Sequence, residues 1–131
     1  EERGTAPRRS AVGGFAYPLT SIQTALARFR CPPSIELVVG DATLSIPRYV
    51  DMHPELVVAL LYLDLDLYLP TKAALTALRP RMPKGAIVAF DELNHPRWPG
   101  ETQAVLDTLG VATLRLQRFP FGNAMSYVVM T

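Results

Sequence analysis

Apolar positions along this chain follow three rhythms. The first is helical. Ile22, Leu26 and Phe29 recur at i, i+4 and i+7 behind Thr20-x-x-Gln23, a capping-box pattern in which side chains satisfy the first helical N–H groups. This predicts an amphipathic helix over Thr20–Arg30, ended by Pro32-Pro33. Ser45 is placed to cap a short helix that reaches Met52 and stops at Pro54. Ala74, Leu75 and Leu78 share one face of a helix over Thr71–Leu78. Val105, Leu106 and Leu109 do the same on a helix opened by Gly100 or Glu101. Gly110 ends that helix, as a residue suited to the left-handed C-terminal position.

The second rhythm is the uninterrupted apolar run. Leu56–Tyr68 reads LVVALLYLDLDLY, and a later run, IVAF, leads directly into Asp91-Glu92. Such runs predict strands buried on both faces, hence a parallel sheet covered by helices. They place strands at Leu56–Asp64 and Ala86–Phe90, with a shorter one, Ile35–Val39, closed by Gly40-Asp41. The third rhythm is alternation. Leu114 and Leu116 interleave with Arg115 and Gln117, then come the turn residues Phe121-Gly122-Asn123 and a last strand over Ala124–Met130. That connection is too short for a crossover, so the final two strands should be antiparallel. Helices and strands alternate and the chain closes on a hairpin, which makes the fold class α/β.

Composition narrows the classes. Of 131 residues, 49% are hydrophobic and 19% charged, the balance of a globular domain with a core of its own. A net charge of +1 gives no field that would favour nucleic acid or an anionic membrane, so neither is expected as a partner. No apolar run reaches the roughly 20 residues needed to cross a bilayer. The opening Glu1-Glu2-Arg3-Gly4 is polar and unlike a secretory signal. Cys31 stands alone, which excludes an internal disulfide framework and points to a reducing, cytoplasmic setting. His53 and His95 are too few and too scattered for a histidine-rich metal site. Residues 1–14, rich in Arg, Gly and Pro, read as a tail, and 15–131 as a single domain. The missing initiator methionine gives the expectation that the chain is part of a longer protein.

Chemistry gathers where the apolar runs stop. Asp64 and Asp66 end one run, Asp91 and Glu92 the other. Ligands of parallel sheets bind at the carboxyl ends of strands. If the two strands are neighbours, four acidic groups crowd one edge, where they repel each other and are costly to desolvate. A cation or a proton-transfer task is the usual reason to gather them. An all-oxygen set suits a hard cation, Mg²⁺ above all. Each acid also has a plainer role open to it, as a helix cap or a turn acceptor. Gly40-Asp41 is a further candidate, since glycine lets backbone approach a ligand and a strand-end aspartate accepts from an amine or hydroxyl. Tyr68, His95, Trp98 and Glu101 fall on loops at the same edge, and the irregular segment LNHPRWPG over 93–100 is the place for acceptor specificity.

Two rival motifs start similarly. Phosphatases of the haloacid dehalogenase type use hhhDxDx[TV], but Tyr68 stands where Thr or Val is needed, and Asp64 lies in a late strand. Metal-dependent glycosyltransferases also carry a DxD, usually within a longer chain that has its own nucleotide-binding half.

Taken together, VVGDA, LLYLDLDLYLPTKAAL, GAIVAFDELNHPRWPGET and the closing strand pair resemble class I S-adenosylmethionine-dependent methyltransferases, and among them the macrocin O-methyltransferase (TylF-like) family. The resemblance covers roughly Gly13 to the end. It implies a Rossmann-like sheet with an antiparallel last strand, its first strands lying outside this chain. It implies Mg²⁺ on Asp64, Asp91 and Glu92, a general base at Asp66, and contact between Gly40-Asp41 and S-adenosylmethionine. The implied reaction is methyl transfer to a hydroxyl of a small-molecule acceptor, a sugar or similar natural product. The family's glycine-rich cofactor loop and ribose-binding acid have no counterpart here, and Gly13-Gly14 lacks a suitable strand beside it. The expectation is a C-terminal portion that alone binds S-adenosylmethionine poorly and, through exposed sheet edges, tends to form homo-oligomers. The alternative is a non-catalytic remnant serving as a binding or oligomerisation module.

Overall fold

A computed structural model of the chain describes residues 18–28, 35–120 and 125–131. The tail over 1–14, Cys31, Pro32-Pro33 and the turn at Phe121-Gly122-Asn123 lie outside the described residues. The chain divides into two compact units, Glu1–Leu37 and Val38–Thr131. In the first, helix α1 spans Leu19–Arg28. Thr20 lies inside this helix rather than capping it. The Pro18 carbonyl accepts from the amides of Ser21 and Ile22 and so starts the first turn one residue earlier.

The second unit carries the sheet. Helix α2 spans Ala42–Met52. It begins before Ser45 because Asp41 is its N-cap, with Oδ1 accepting from the Thr43 amide at 2.9 Å and from the Thr43 hydroxyl at 2.8 Å. Strand β1 covers Leu60–Leu63, helix α3 Tyr68–Leu78, strand β2 Ile87–Phe90 and helix α4 Gly100–Thr108. The chain closes with strands β3, Gln117–Arg118, and β4, Ser126–Val129. The sheet order is β1-β2-β4-β3. β1 and β2 run parallel, and β4 runs antiparallel to both β2 and β3.

Three elements differ from the sequence reading. Ile35–Val39 forms no ladder among the described residues, and its apolar side chains are exposed. Val111–Thr113 winds into a short 3₁₀ turn, so the strand expected over Thr113–Gln117 shrinks to the two residues of β3. β1 is not buried on both faces: Leu61 and Leu63 are buried, but Leu60 is 61% and Tyr62 48% exposed. An apolar run alone does not reveal which face will be covered.

Leu61 and Leu63 join Val88, Phe90, Leu75 and Val105 in one core formed by the sheet, α3 and α4. Phe90 and Val88 are fully buried, so β2 is the covered centre of the sheet. Across α3 and α4 a polar chain ties the helices: Lys72 Nζ donates to the Tyr68 hydroxyl, which donates to Asp107 Oδ2, both at 2.7 Å. Tyr68, expected on a loop at the acidic edge, is the first residue of α3 and ties the two helices together. Among the described residues no helix is long and apolar enough to cross a membrane.

Candidate active site

The parallel register sets the site. Leu63 pairs with Phe90, and the Asp91 amide extends the ladder by donating to the Leu63 carbonyl at 3.0 Å. Asp64 and Asp91 therefore leave neighbouring strands side by side at their carboxyl ends. Asp66 follows in the β1–α3 loop and Glu92 opens the β2–α4 loop. The structure brings all four acids to one sheet edge. Asp66 takes a left-handed φ of 55°, so the backbone has left extended geometry at that point.

The electrostatics record the crowding. Burial, then the charges of Asp91 and Asp66, push the Asp64 carboxyl above its ordinary value. Burial also raises Glu92. Its neighbour His95 opposes the shift, while Asp66, Asp91 and Asp64 add to it. His95 Nδ1 lies 3.9 Å from Glu92 Oε2, and neither atom has a hydrogen-bond partner. His95 is thereby placed beside an acid, within Coulombic reach of the cluster.

Tyr62 is not evident from sequence, and for Glu101 the sequence shows only a position at this edge. Tyr62 lies inside an apolar run, yet strand alternation puts it on the same face as Asp64. Its hydroxyl donates to Asp91 Oδ1 at 2.6 Å, and that bond holds the phenol up at about 12. Glu101, in the first turn of α4, is completely buried. Its Oε2 accepts from the Glu92 amide at 3.0 Å, while Oε1 has no partner. Burial pushes Glu101 up to about 7; the Glu92 amide lowers it, and Asp91, Asp64 and Asp66 raise it further. The sequence signal was only its place at the edge, and an acid in a helix's first turn is ordinary dipole complementation.

The trio Asp64, Asp91 and Glu92 has the donor chemistry for a hard cation, and Glu92 Oε2 is a buried oxygen without a partner. Its geometry does not fit one. Asp91 Oδ1 is taken by Tyr62, and among the described residues no three His, Cys, Asp or Glu side chains converge where an ion could sit. Magnesium is therefore not supported by the arrangement. At Gly40-Asp41, Asp41 is exposed and its carboxylate bonds Thr43, which holds it below the usual carboxylate range. Gly40, at φ 148°, keeps a backbone that residues with side chains rarely adopt, and packs near Ser45.

No family model and no curated protein matches the chain. Solved structures do. One structure of CalS11, a TDP-rhamnose 3'-O-methyltransferase of calicheamicin biosynthesis, is 41% identical with a TM-score of 0.77, over 89% of this chain and 54% of that one. A second, described as calicheamicin methyltransferase, is 39% identical with a TM-score of 0.81, over 97% of this chain and 52% of that one. The O-methyltransferase NovP, 18% identical with a TM-score of 0.69 over 86% of this chain and 45% of that one, shares the fold. The chain spans about half the length of each. Mixed sheet, strand-end acids and these likenesses agree: the chain has the class I methyltransferase fold, with sequence likeness to a solved sugar O-methyltransferase over most of its length.

Proposed function

We propose that this chain forms the acceptor side of an S-adenosylmethionine-dependent O-methyltransferase of the macrocin type, acting on a hydroxyl of a sugar or related natural product. The observation that carries the reading is the gathering of Asp64, Asp66, Asp91 and Glu92 at one end of β1 and β2, in a chain 41% identical to a TDP-rhamnose 3'-O-methyltransferase. Bound S-adenosylmethionine supplies an electrophilic methyl group on a positive sulfur. Gly40 and Asp41 are the residues here that would contact it. Asp66 acts as general base, its carboxylate accepting the proton of the attacking hydroxyl. Asp66 sits in the β1–α3 loop, with left-handed backbone at φ 55°, near enough to Asp64 for their charges to interact. The Tyr62 hydroxyl holds Asp91 in one orientation beside it.

The test is incubation of the full-length protein with methyl-labelled S-adenosylmethionine and two acceptor sets, nucleoside-diphosphate deoxysugars and sugar-free natural-product scaffolds. Label in the sugar fraction is expected. Label in neither set would contradict the proposal. One observation favours a second reading, a non-catalytic remnant: the carboxylate of Asp41 is engaged in capping α2 through Thr43. A full-length protein that neither binds S-adenosylmethionine nor transfers methyl would support that reading.

A further inference from the structure

We propose that the first turn of α4 is a brace that fixes both acidic loops, with Glu101 as a positioning residue for the reaction; this rests on the methyltransferase reading above. Three consecutive residues each hold a different piece of backbone. Gly100 lies against the β1–α3 loop so closely that an added Cβ would stand 2.3 Å from the Asp66 carbonyl oxygen and 2.6 Å from the Tyr68 nitrogen. Glu101 Oε2 receives the Glu92 amide at 3.0 Å, and Thr102 Oγ1 receives the Asn94 amide at 2.8 Å. The turn is anchored behind by Ala104 and Val105, both fully buried.

The loops so held are those that need holding. Among the described residues, Asp66 and Asn94 are the non-glycine positions with left-handed backbone, at φ 55° and 67°. Such conformations persist when surrounding structure over-determines them. One lies in each loop that the turn contacts. A fully buried carboxyl is an expensive way to make one hydrogen bond, and an apolar side chain would pack there more cheaply. The bond it makes fixes the amide of Glu92, next to Asp91 at the end of β2. Catalytic groups lose effect steeply when misplaced by about 1 Å. A residue that sets the spacing of Asp66 against Asp91 and Glu92 therefore acts on turnover without touching substrate.

The test uses the full-length protein with Glu101→Gln, which keeps an oxygen acceptor, and Glu101→Leu, which keeps bulk but removes it. Glu101→Leu is expected to lower kcat roughly 10- to 100-fold with S-adenosylmethionine KM and melting temperature near wild type. Glu101→Gln is expected to restore kcat to within about threefold. A Glu101→Leu kcat equal to wild type, or a Glu101→Gln as impaired as Glu101→Leu, overturns the proposal. Thr102→Val reads the brace independently should Glu101→Leu fail to fold: it should remove exchange protection from the Asn94 amide and leave that of Glu92. Amide exchange also separates this inference from the functional one. A wild type without methyl transfer but with protected Glu92 and Asn94 amides fails only the function, whereas exchange at solvent rates for both amides overturns the brace.

Discussion

Glu101 carries the clearest pH signature of any single residue. Its ordinary value is 4.5 and burial pushes it to about 7 in the fold. The folded state thus holds this proton more tightly than the unfolded chain does. The stability it contributes is fully present below about 4.5 and is lost as pH rises toward 7, because the folded protein must then bury a charge. Glu101→Gln removes that titration. Its melting temperature should gain on wild type between about pH 4.5 and pH 7 and level off above that. A difference that does not change with pH would contradict the assignment. Sequence made the four strand-end acids legible, because a carboxylate that stops an apolar run is conspicuous. It hid Tyr62, and it placed Glu101 at the same edge without showing that it is buried. Glu101 looks like an exposed helix-start acid, and Tyr62 like one more apolar strand residue. Only the register of β1 on β2, and the seating of α4, show that one is sealed from water and the other touches Asp91.

At the scale of elements, the start of α4 governs the geometry around the acids. Gly100 is needed there for space rather than for an unusual backbone angle. A methyl group at this position would meet the backbone of residues 66–68 at 2.3–2.7 Å, and backbone cannot swing aside as a side chain can. Gly100→Ala should therefore cost about 1–3 kcal/mol of stability, read by denaturant unfolding. A variant as stable as wild type would show that the helix start can shift freely. The boundaries of α4 and the left-handed Gly110 behind it were readable from spacing and turn chemistry. Ile35–Val39 was not, since a strand exists only with a partner, and composition does not say whether an edge will be offered. The early start of α2 was also hidden: Gly40-Asp41 reads as the close of a strand and Ser45 as the cap, whereas Asp41 is the N-cap.

At the scale of the molecule, the unit Val38–Thr131 is covered on one side of its sheet and shows apolar side chains on the other. Leu60, Tyr62 and Val129 are exposed, and among the described residues β1 is at the edge of the sheet. The chain spans about half the length of its solved relatives. The proposed chemistry therefore belongs to the full-length protein. Its most direct test is the single-turnover rate of methyl transfer from saturating S-adenosylmethionine to a nucleoside-diphosphate deoxysugar, wild type against Asp66→Asn. Removing a general base should slow transfer by about 10²- to 10⁴-fold while S-adenosylmethionine affinity stays unchanged. Equal rates in the two proteins would contradict the role given to Asp66 and, with it, the reading of the strand-end acids as the acceptor side of the site.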